Sequence, residues 1–277
     1  DITGQDTVET GLVWEDGDAD RSMKPVPGTL VKTPWAGENA AQFLVDFYEL
    51  DGTPHDLDPR HVLGRVVDRY AEQGLVPAVA VELEFYLVDP KRTRDGLIRP
   101  AAPGYSKDRP RNVEVYGLRE IEDFRPFFDD LYAFCDAQGL PLESAISEFA
   151  PGQFELTLCY KPDVLRACDD AIMYKRLVKA TAQRHGLEAT FMAKPFADQA
   201  GSGMHIHVSV NDADGNNIFA SEDPEGTDAL RHAIGGMIAN VGDSFALFAP
   251  NANSYRRFKA NSYAPVAPTW GVNNRTV

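Results

Sequence analysis

Alternation of apolar and polar residues marks the strands of this chain. In Val81-Glu82-Leu83-Glu84-Phe85-Tyr86-Leu87, the side chains of Leu83, Phe85 and Leu87 fall on one face and those of Glu82, Glu84 and Tyr86 on the other, as a half-buried strand requires. The strand is predicted over Val79 to Val88. The same period predicts strands over Glu143 to Phe149 and Gln153 to Cys159, joined by a Pro151-Gly152 turn, with Phe154, Leu156 and Leu158 alternating against Glu155 and Thr157. In Gly201-Ser202-Gly203-Met204-His205-Ile206-His207-Val208-Ser209-Val210 it sets His205, His207 and Ser209 on a polar face and Ile206, Val208 and Val210 on an apolar one. Shorter strands are expected at Thr29 to Thr33, Ala41 to Leu50 and Ala189 to Met192.

Helices are expected between these strands. Asp58-Pro59 supplies an N-cap and a proline at the first helical position for a helix that runs through Val62, Val66, Val67 and Tyr70 to a stop at Gly74. Phe124 to Ala137 is amphipathic and ends near Gly139, Pro162 to His185 is stopped by Gly186, and Thr227 to Phe248 carries a Gly-Gly interruption. Asp89 to Arg111 reads as a long polar loop, and Asn211 to Asn216 as a hairpin turn returning through Ile218 to Ala220. The pattern predicts an α+β fold, a mainly antiparallel sheet with helices on its outer face.

Composition narrows the possibilities. A chain of 277 residues, 43% hydrophobic and 25% charged, suits a globular protein with a sizeable core. Cys135, Cys159 and Cys168 lack C-x-x-C spacing, so neither a disulfide framework nor a zinc ribbon is indicated and a reducing cytoplasm is the expected setting. A formal charge of −15 argues against a nucleic-acid partner, and no apolar run reaches membrane-spanning length. The start at Asp1 and the end at Asn273-Asn274-Arg275-Thr276-Val277 are expected of a fragment.

Taken alone, histidines at alternate strand positions suit a solvated sheet face. Two further acidic pairs change that reading. Glu82 and Glu84 lie about 7 Å apart on one strand face, and Glu148 precedes a corner that can fold it back toward Glu155. Carboxylate-rich sites with an occasional imidazole suit Mg²⁺ or Mn²⁺, and paired ions of this kind serve phosphoryl transfer from a nucleotide.

The set Glu82-x-Glu84-Phe85, Glu148-x-x-Pro151-Gly152-Gln153-x-Glu155, Lys194-Pro195, Gly201-Ser202-Gly203-Met204-His205-x-His207, Asn253-Ser254-Tyr255-Arg256-Arg257 and Asn274-Arg275 resembles the glutamine synthetase family in order and approximate spacing. The resemblance implies a catalytic domain at 51–277 and, at 1–50, the remnant of an N-terminal β-grasp domain. It implies ATP and two divalent ions as cofactors. Glu84, Glu148 and Glu155 would ligate the ion nearer glutamate, and Glu82 and His205 the ion at the nucleotide phosphates, whose third family ligand falls beyond Val277. His207 and Ser209 correspond to nucleotide contacts and Tyr160 to an aromatic packed on adenine. Gly201 corresponds to the backbone that holds glutamate, Arg257 to the arginine on its carboxylate, and Arg275 to an arginine on the transferred phosphoryl group. Asp1 is the candidate for an aspartate completing a neighbouring subunit's site in a ring-shaped homo-oligomer, a dodecamer by resemblance.

One departure bears on the acceptor. Where ammonia-using members carry a glutamate on a flexible flap, this chain has Tyr263 followed by Ala264-Pro265. A phenol, neutral at physiological pH, does not attract ammonium as a carboxylate does, and it can wall a site for a larger amine. The sequence therefore looks most like the branch that couples glutamate to putrescine or other polyamines. An ammonia-using glutamine synthetase and a catalytically silent metal- and nucleotide-binding member are the alternatives.

Overall fold

The computed structural model describes residues 20–106 and 108–274. In chain order these form β1 (Ser22–Pro25), β2 (Val31–Lys32), a 3-10 turn (Pro34–Ala36), β3 (Ala41–Gln42), β4 (Val45–Tyr48), α1 (Pro59–Ala71) and β5 (Val76–Val88). Then follow α2 (Leu118–Asp123), α3 (Arg125–Gln138), β6 (Leu142–Ser147), β7 (Gln153–Leu158), α4 (Val164–Arg184), β8 (Glu188–Thr190), β9 (Met204–Asn211), α5 (Asp228–Phe248) and α6 (Ala252–Tyr255).

Strand β5 is the spine. One of its edges pairs with β7, which in turn pairs with β6, and its other edge pairs first with β9 and then with β8, all antiparallel. The expected α+β architecture is borne out. The apolar face of β5 and β7 packs on α3 and α4, where Phe85, Phe154, Leu131, Leu156, Tyr174, Leu177 and Val178 are each fully buried. The Phe154 ring lies 6.0 Å from Phe85 and 5.1 Å from Phe128. Each such burial contributes about 1.5–3 kcal/mol, and each well-placed ring pair about 0.5–1.5 kcal/mol more.

The helix ends follow their signals. Asp58 accepts hydrogen bonds from the backbone N–H groups of Arg60 and His61 to start α1, and Asp163 caps α4 through Arg166. Gly139 ends α3 in the left-handed conformation at φ 66°, which glycine adopts without steric cost.

Several expectations are corrected. The spine begins at Val76 rather than Val79, because β9 pairs with it from that residue onward. Ala41 to Leu50 divides into β3 and β4, which join different two-stranded sheets, β2 with β3 and β1 with β4. Ile218 to Ala220 is not a strand; a single bridge, Asn211 to Asn217, closes that turn. Helix α5 runs unbroken through Gly235-Gly236, since a helical glycine costs only about 1 kcal/mol relative to alanine. It also buries none of its residues, so it does not join the helices packed on the sheet.

The small hairpins at 22–48 are tied to the main body by Arg60, whose guanidinium reaches the buried Asp46 at 3.2 Å and the buried Asp169 at 3.0 Å. Replacing Phe154 by Ala should lower the unfolding free energy by about 3–5 kcal/mol, whereas the half-exposed Phe149 should tolerate the same change within about 1 kcal/mol. Urea denaturation checks both, and a loss under 1 kcal/mol at Phe154 would contradict its place in the core.

Candidate active site

The register of the spine assembles the acidic residues. Across β5 and β7, Glu84 stands opposite Glu155; across β5 and β9, Glu82 stands opposite His205. Opposed side chains on one face have Cβ atoms about 4.5–5.5 Å apart, so three strands deliver their polar residues to one place. Glu82, Glu155 and His205 each offer a ligand atom within 4.8 Å of the others. The His205 Nδ1 atom lies 3.2 Å from Glu82 Oε2 and 3.8 Å from Glu155 Oε2, and His207 Nε2 lies 2.9 Å from Glu82 Oε1.

Beside this cluster, the Gln153 side-chain amide donates to Glu84 Oε2 at 2.9 Å and to the Gly201 carbonyl at 3.0 Å. The Gly203 N–H donates to the same Glu84 oxygen at 3.0 Å. Space requires glycine at 201 and is tight at Gly203. A Cβ at Gly201 would come within 2.7 Å of Arg257 Cγ and of the Ala193 carbonyl, and one at Gly203 within 3.1 Å of Glu84 Oε1. The loop is braced on either side: the Tyr86 hydroxyl donates to the Ala200 carbonyl at 2.7 Å, and Asn253 clamps the Lys194 backbone through bonds of 2.7 and 2.9 Å.

Negative charge accumulates here. Burial raises the pKa of Glu84, offset by the Gly203 N–H and reinforced by the Glu155 charge. Glu148 is pushed up to about 7, first by burial and then by the charges of Glu84 and Glu155, so its carboxylate belongs to the same electrostatic group. The His205 imidazole is raised by its interaction with Glu155 and by the surrounding carboxylates, against the effect of burial. Burial lowers the Arg257 pKa, and Glu84 partly restores it. Four carboxylates thus share the imidazoles of His205 and His207 and one partly buried guanidinium. An oxygen-rich donor set with an imidazole fits a hard divalent cation such as Mg²⁺ or Mn²⁺, and the glycines let the 201–203 backbone approach Arg257 and Glu84 closely.

Glu82, Glu84, Glu148, Glu155, His205, His207, Gly201 and Arg257 therefore come together. Ser209 lies two residues further along the polar face of β9, opposite Ala78. Pairing of Lys161 with Val79 sets Tyr160 beside Ala80, which faces His207 on the other edge of β5, and the Tyr160 side chain is exposed. Tyr263 is exposed, at φ 54°, on a loop that the Ser262 hydroxyl staples to the Arg257 and Lys259 carbonyls. Asp1 and Arg275 lie outside the described residues. Sequence reasoning assigned no role to Gln153 and did not single out Glu120; Gln153 stood within a quoted motif, whereas Glu120 lies in a short helix with no side-chain N-cap bond to announce it.

Residues 56–277 match the family model described as glutamine synthetase, catalytic domain, and the chain belongs to that family. Its sequence is 42% identical to gamma-glutamylputrescine synthetase PuuA of Escherichia coli, over 100% of this chain and 59% of that protein. It is 34% identical to glutamate–isopropylamine ligase of a Pseudomonas species, over 95% of this chain and 57% of that protein. It is 35% identical to gamma-glutamylethanolamide synthetase GlnA4 of Streptomyces coelicolor, over 95% of this chain and 55% of that protein. Among solved structures, the GmaS/ADP complex superposes with a TM-score of 0.81 at 30% identity, covering 94% of this chain and 59% of that one. The chain thus spans somewhat over half the length of these relatives. Among the described residues no helix is long and apolar enough to cross a membrane.

The electrostatics predict a pH dependence. Glu84, Glu148 and His205 all hold protons more tightly folded than unfolded, so their contribution favours the fold at low pH and is lost as pH rises through their folded pKa values. Without divalent ions, the thermal midpoint should fall between about pH 5 and pH 8, and Mg²⁺ or Mn²⁺ should restore it at the upper end. A metal-free midpoint that climbs across this window would contradict the crowding of carboxylates.

Proposed function

We propose that the full-length protein is an ATP-dependent ligase that joins the γ-carboxylate of glutamate to an amine, with putrescine or another polyamine as acceptor. The observation that carries this reading is the meeting, at one crossing of three strands, of a carboxylate–imidazole cluster with an arginine packed over a glycine. In this reading the γ-carboxylate attacks the γ-phosphorus of ATP and ADP leaves, giving an acyl phosphate. The amine nitrogen then displaces phosphate, forming the amide and releasing a proton. Activation is needed because a carboxylate is a poor electrophile at neutral pH.

Glu84, Glu148 and Glu155 would hold one divalent ion and Glu82 and His205 another; bound there, Mg²⁺ or Mn²⁺ supplies positive charge against the phosphate oxygens. Arg257, a partly buried guanidinium against Gly201, takes the carboxylate of glutamate. His207, Ser209 and Tyr160 line the nucleotide side. Arg275 serves the transferred phosphoryl group, and Asp1 a neighbouring subunit in a ring-shaped homo-oligomer. Residues 1–50 belong to the N-terminal domain and 51–277 to the catalytic one, a division supported by the separation of the two hairpins from the main sheet. The free cysteines Cys135, Cys159 and Cys168 support a reducing, cytoplasmic setting.

Choice of an amine over ammonia rests on Tyr263 in place of an acid, and is supported by relatives named for putrescine, isopropylamine and ethanolamide products or substrates. Relatives named glutamine synthetase, such as that of Pyrococcus abyssi at 34% identity, make ammonia the competing acceptor. Glutamate-dependent ADP release, measured with putrescine, spermidine, ethanolamine and ammonia in parallel, should be fastest with a polyamine; a preference for ammonia would overturn the acceptor assignment. Glu155→Ala should lower turnover by at least about 100-fold, beyond what loss of a group supporting a metal ligand costs, while the protein remains folded. Tyr263→Glu should shift the ratio of ammonia to amine use toward ammonia by about tenfold, equivalent to ~1.4 kcal/mol, and an unchanged ratio would remove Tyr263 from the argument.

A further inference from the structure

The corner between β6 and β7 carries two residues of the site, Glu148 and Gln153, and is held from behind by a residue outside it. Helix α2 presents Glu120, whose side chain is almost wholly buried. Its Oε1 atom accepts the Gly152 N–H at 3.1 Å and its Oε2 atom accepts the Ser147 hydroxyl at 3.0 Å. Ser147 immediately precedes Glu148, and Gly152 immediately precedes Gln153. One carboxyl group therefore grips both limbs of the corner, each at the residue next to a site side chain.

Inside the corner, the Glu148 N–H donates to the Gln153 carbonyl at 2.8 Å, the Gln153 N–H to the Ala150 carbonyl at 2.9 Å, and the Ala150 N–H to Gln153 Oε1 at 3.2 Å. Gly152 sits at φ 77°, and a Cβ there would lie 3.3 Å from the Leu87 carbonyl, so the turn admits little variation on its inner side. Its outer side is different. Glu120 borders a cavity of about 480 Å³ lined also by Tyr105, Arg109, Glu114 and Asp123, so the corner is backed here by polar groups rather than by the apolar core. Both of these partners of Glu120 are neutral donors. Burying a carboxyl group on neutral partners is costly, and apolar filling would serve packing alone at lower cost. What only a forked acceptor of this length supplies is simultaneous fixation of Ser147 and Gly152.

We infer that Glu120 is a positioning residue: by bridging Ser147 and Gly152 it sets the separation of Glu148 from Gln153 and Glu155, and so the geometry in which the carboxylates meet a divalent ion. The inference rests on the ligase reading and its metal ligands. It predicts that reach matters and charge does not. Glu120→Gln keeps the length and an acceptor for Gly152, whereas Glu120→Asp keeps the charge and is one methylene too short to bridge both groups.

The test is Mn²⁺ affinity of the full-length protein, read from the loss of the free-ion electron paramagnetic resonance signal, alongside thermal midpoints. Glu120→Ala and Glu120→Asp should weaken one class of Mn²⁺ site by about 10–100-fold, as loss of a group that orients a ligand does, and Glu120→Gln should bind close to wild type. Should Glu120→Ala fail to fold, the Asp and Gln pair decides. Wild-type affinity in the Asp variant, with or without a lower midpoint, overturns the inference, as does weak binding in the Gln variant. Absence of Mn²⁺ binding by the wild type overturns the metal-site reading, and the inference with it; wild-type binding that survives every variant removes only Glu120.

Discussion

Repulsion among carboxylates is the constraint on which the rest of this structure turns. Glu84 and Glu155 occupy directly opposed positions on neighbouring strands, an arrangement that costs about 0.2–1 kcal/mol when both are charged and exposed and more when they are buried. The opposite face of the same strands explains why it persists. Phe85 and Phe154 are also partners in register and are fully buried, each contributing about 1.5–3 kcal/mol. A slip of one residue would exchange the two faces, carrying acids into the core and rings into the cleft. Burial wins, and the acidic face follows from it.

Relief comes from few groups. His205 reaches across from β9, Arg257 approaches over Gly201, and Gln153 and the Gly203 amide donate to one oxygen of Glu84. These do not neutralise the cluster: after burial, the charges of Glu84 and Glu155 still raise the pKa of Glu148. A face left short of positive charge, within reach of two imidazoles, is a face prepared for cations. The same shortage links stability, pH and ligand binding: protons and divalent ions relieve the same repulsion, so each should substitute for the other in holding the fold together.

The central sheet and its acidic face were legible because strand alternation in 81–87, 153–158 and 204–210 is nearly free of exceptions, and alternation alone decides which side chains share a face. Helix ends at Asp58, Gly139 and Gly186 were legible from capping and stop residues. The register was not, because pairing depends on contacts between distant segments; that Glu82 meets His205 while Glu84 meets Glu155 follows from the strand order, which local pattern does not encode. Helix α2 escaped because six residues, one of them the buried Glu120, carry neither a capping side chain nor an apolar stripe. The division of Ala41 to Leu50 escaped for a related reason: two short hairpins differ from one longer strand only in their partners. The roles proposed for the histidines and Arg257 came from resemblance; spacing alone favoured a solvated sheet face for the histidines.

The central claim is that the register of three strands builds a divalent-ion site. Anomalous diffraction at the manganese edge, from crystals of the full-length protein grown with Mn²⁺, tests it most directly. The account predicts anomalous density between Glu84, Glu148 and Glu155 and between Glu82 and His205. Density confined to other surfaces, with these carboxylates bare, would contradict it.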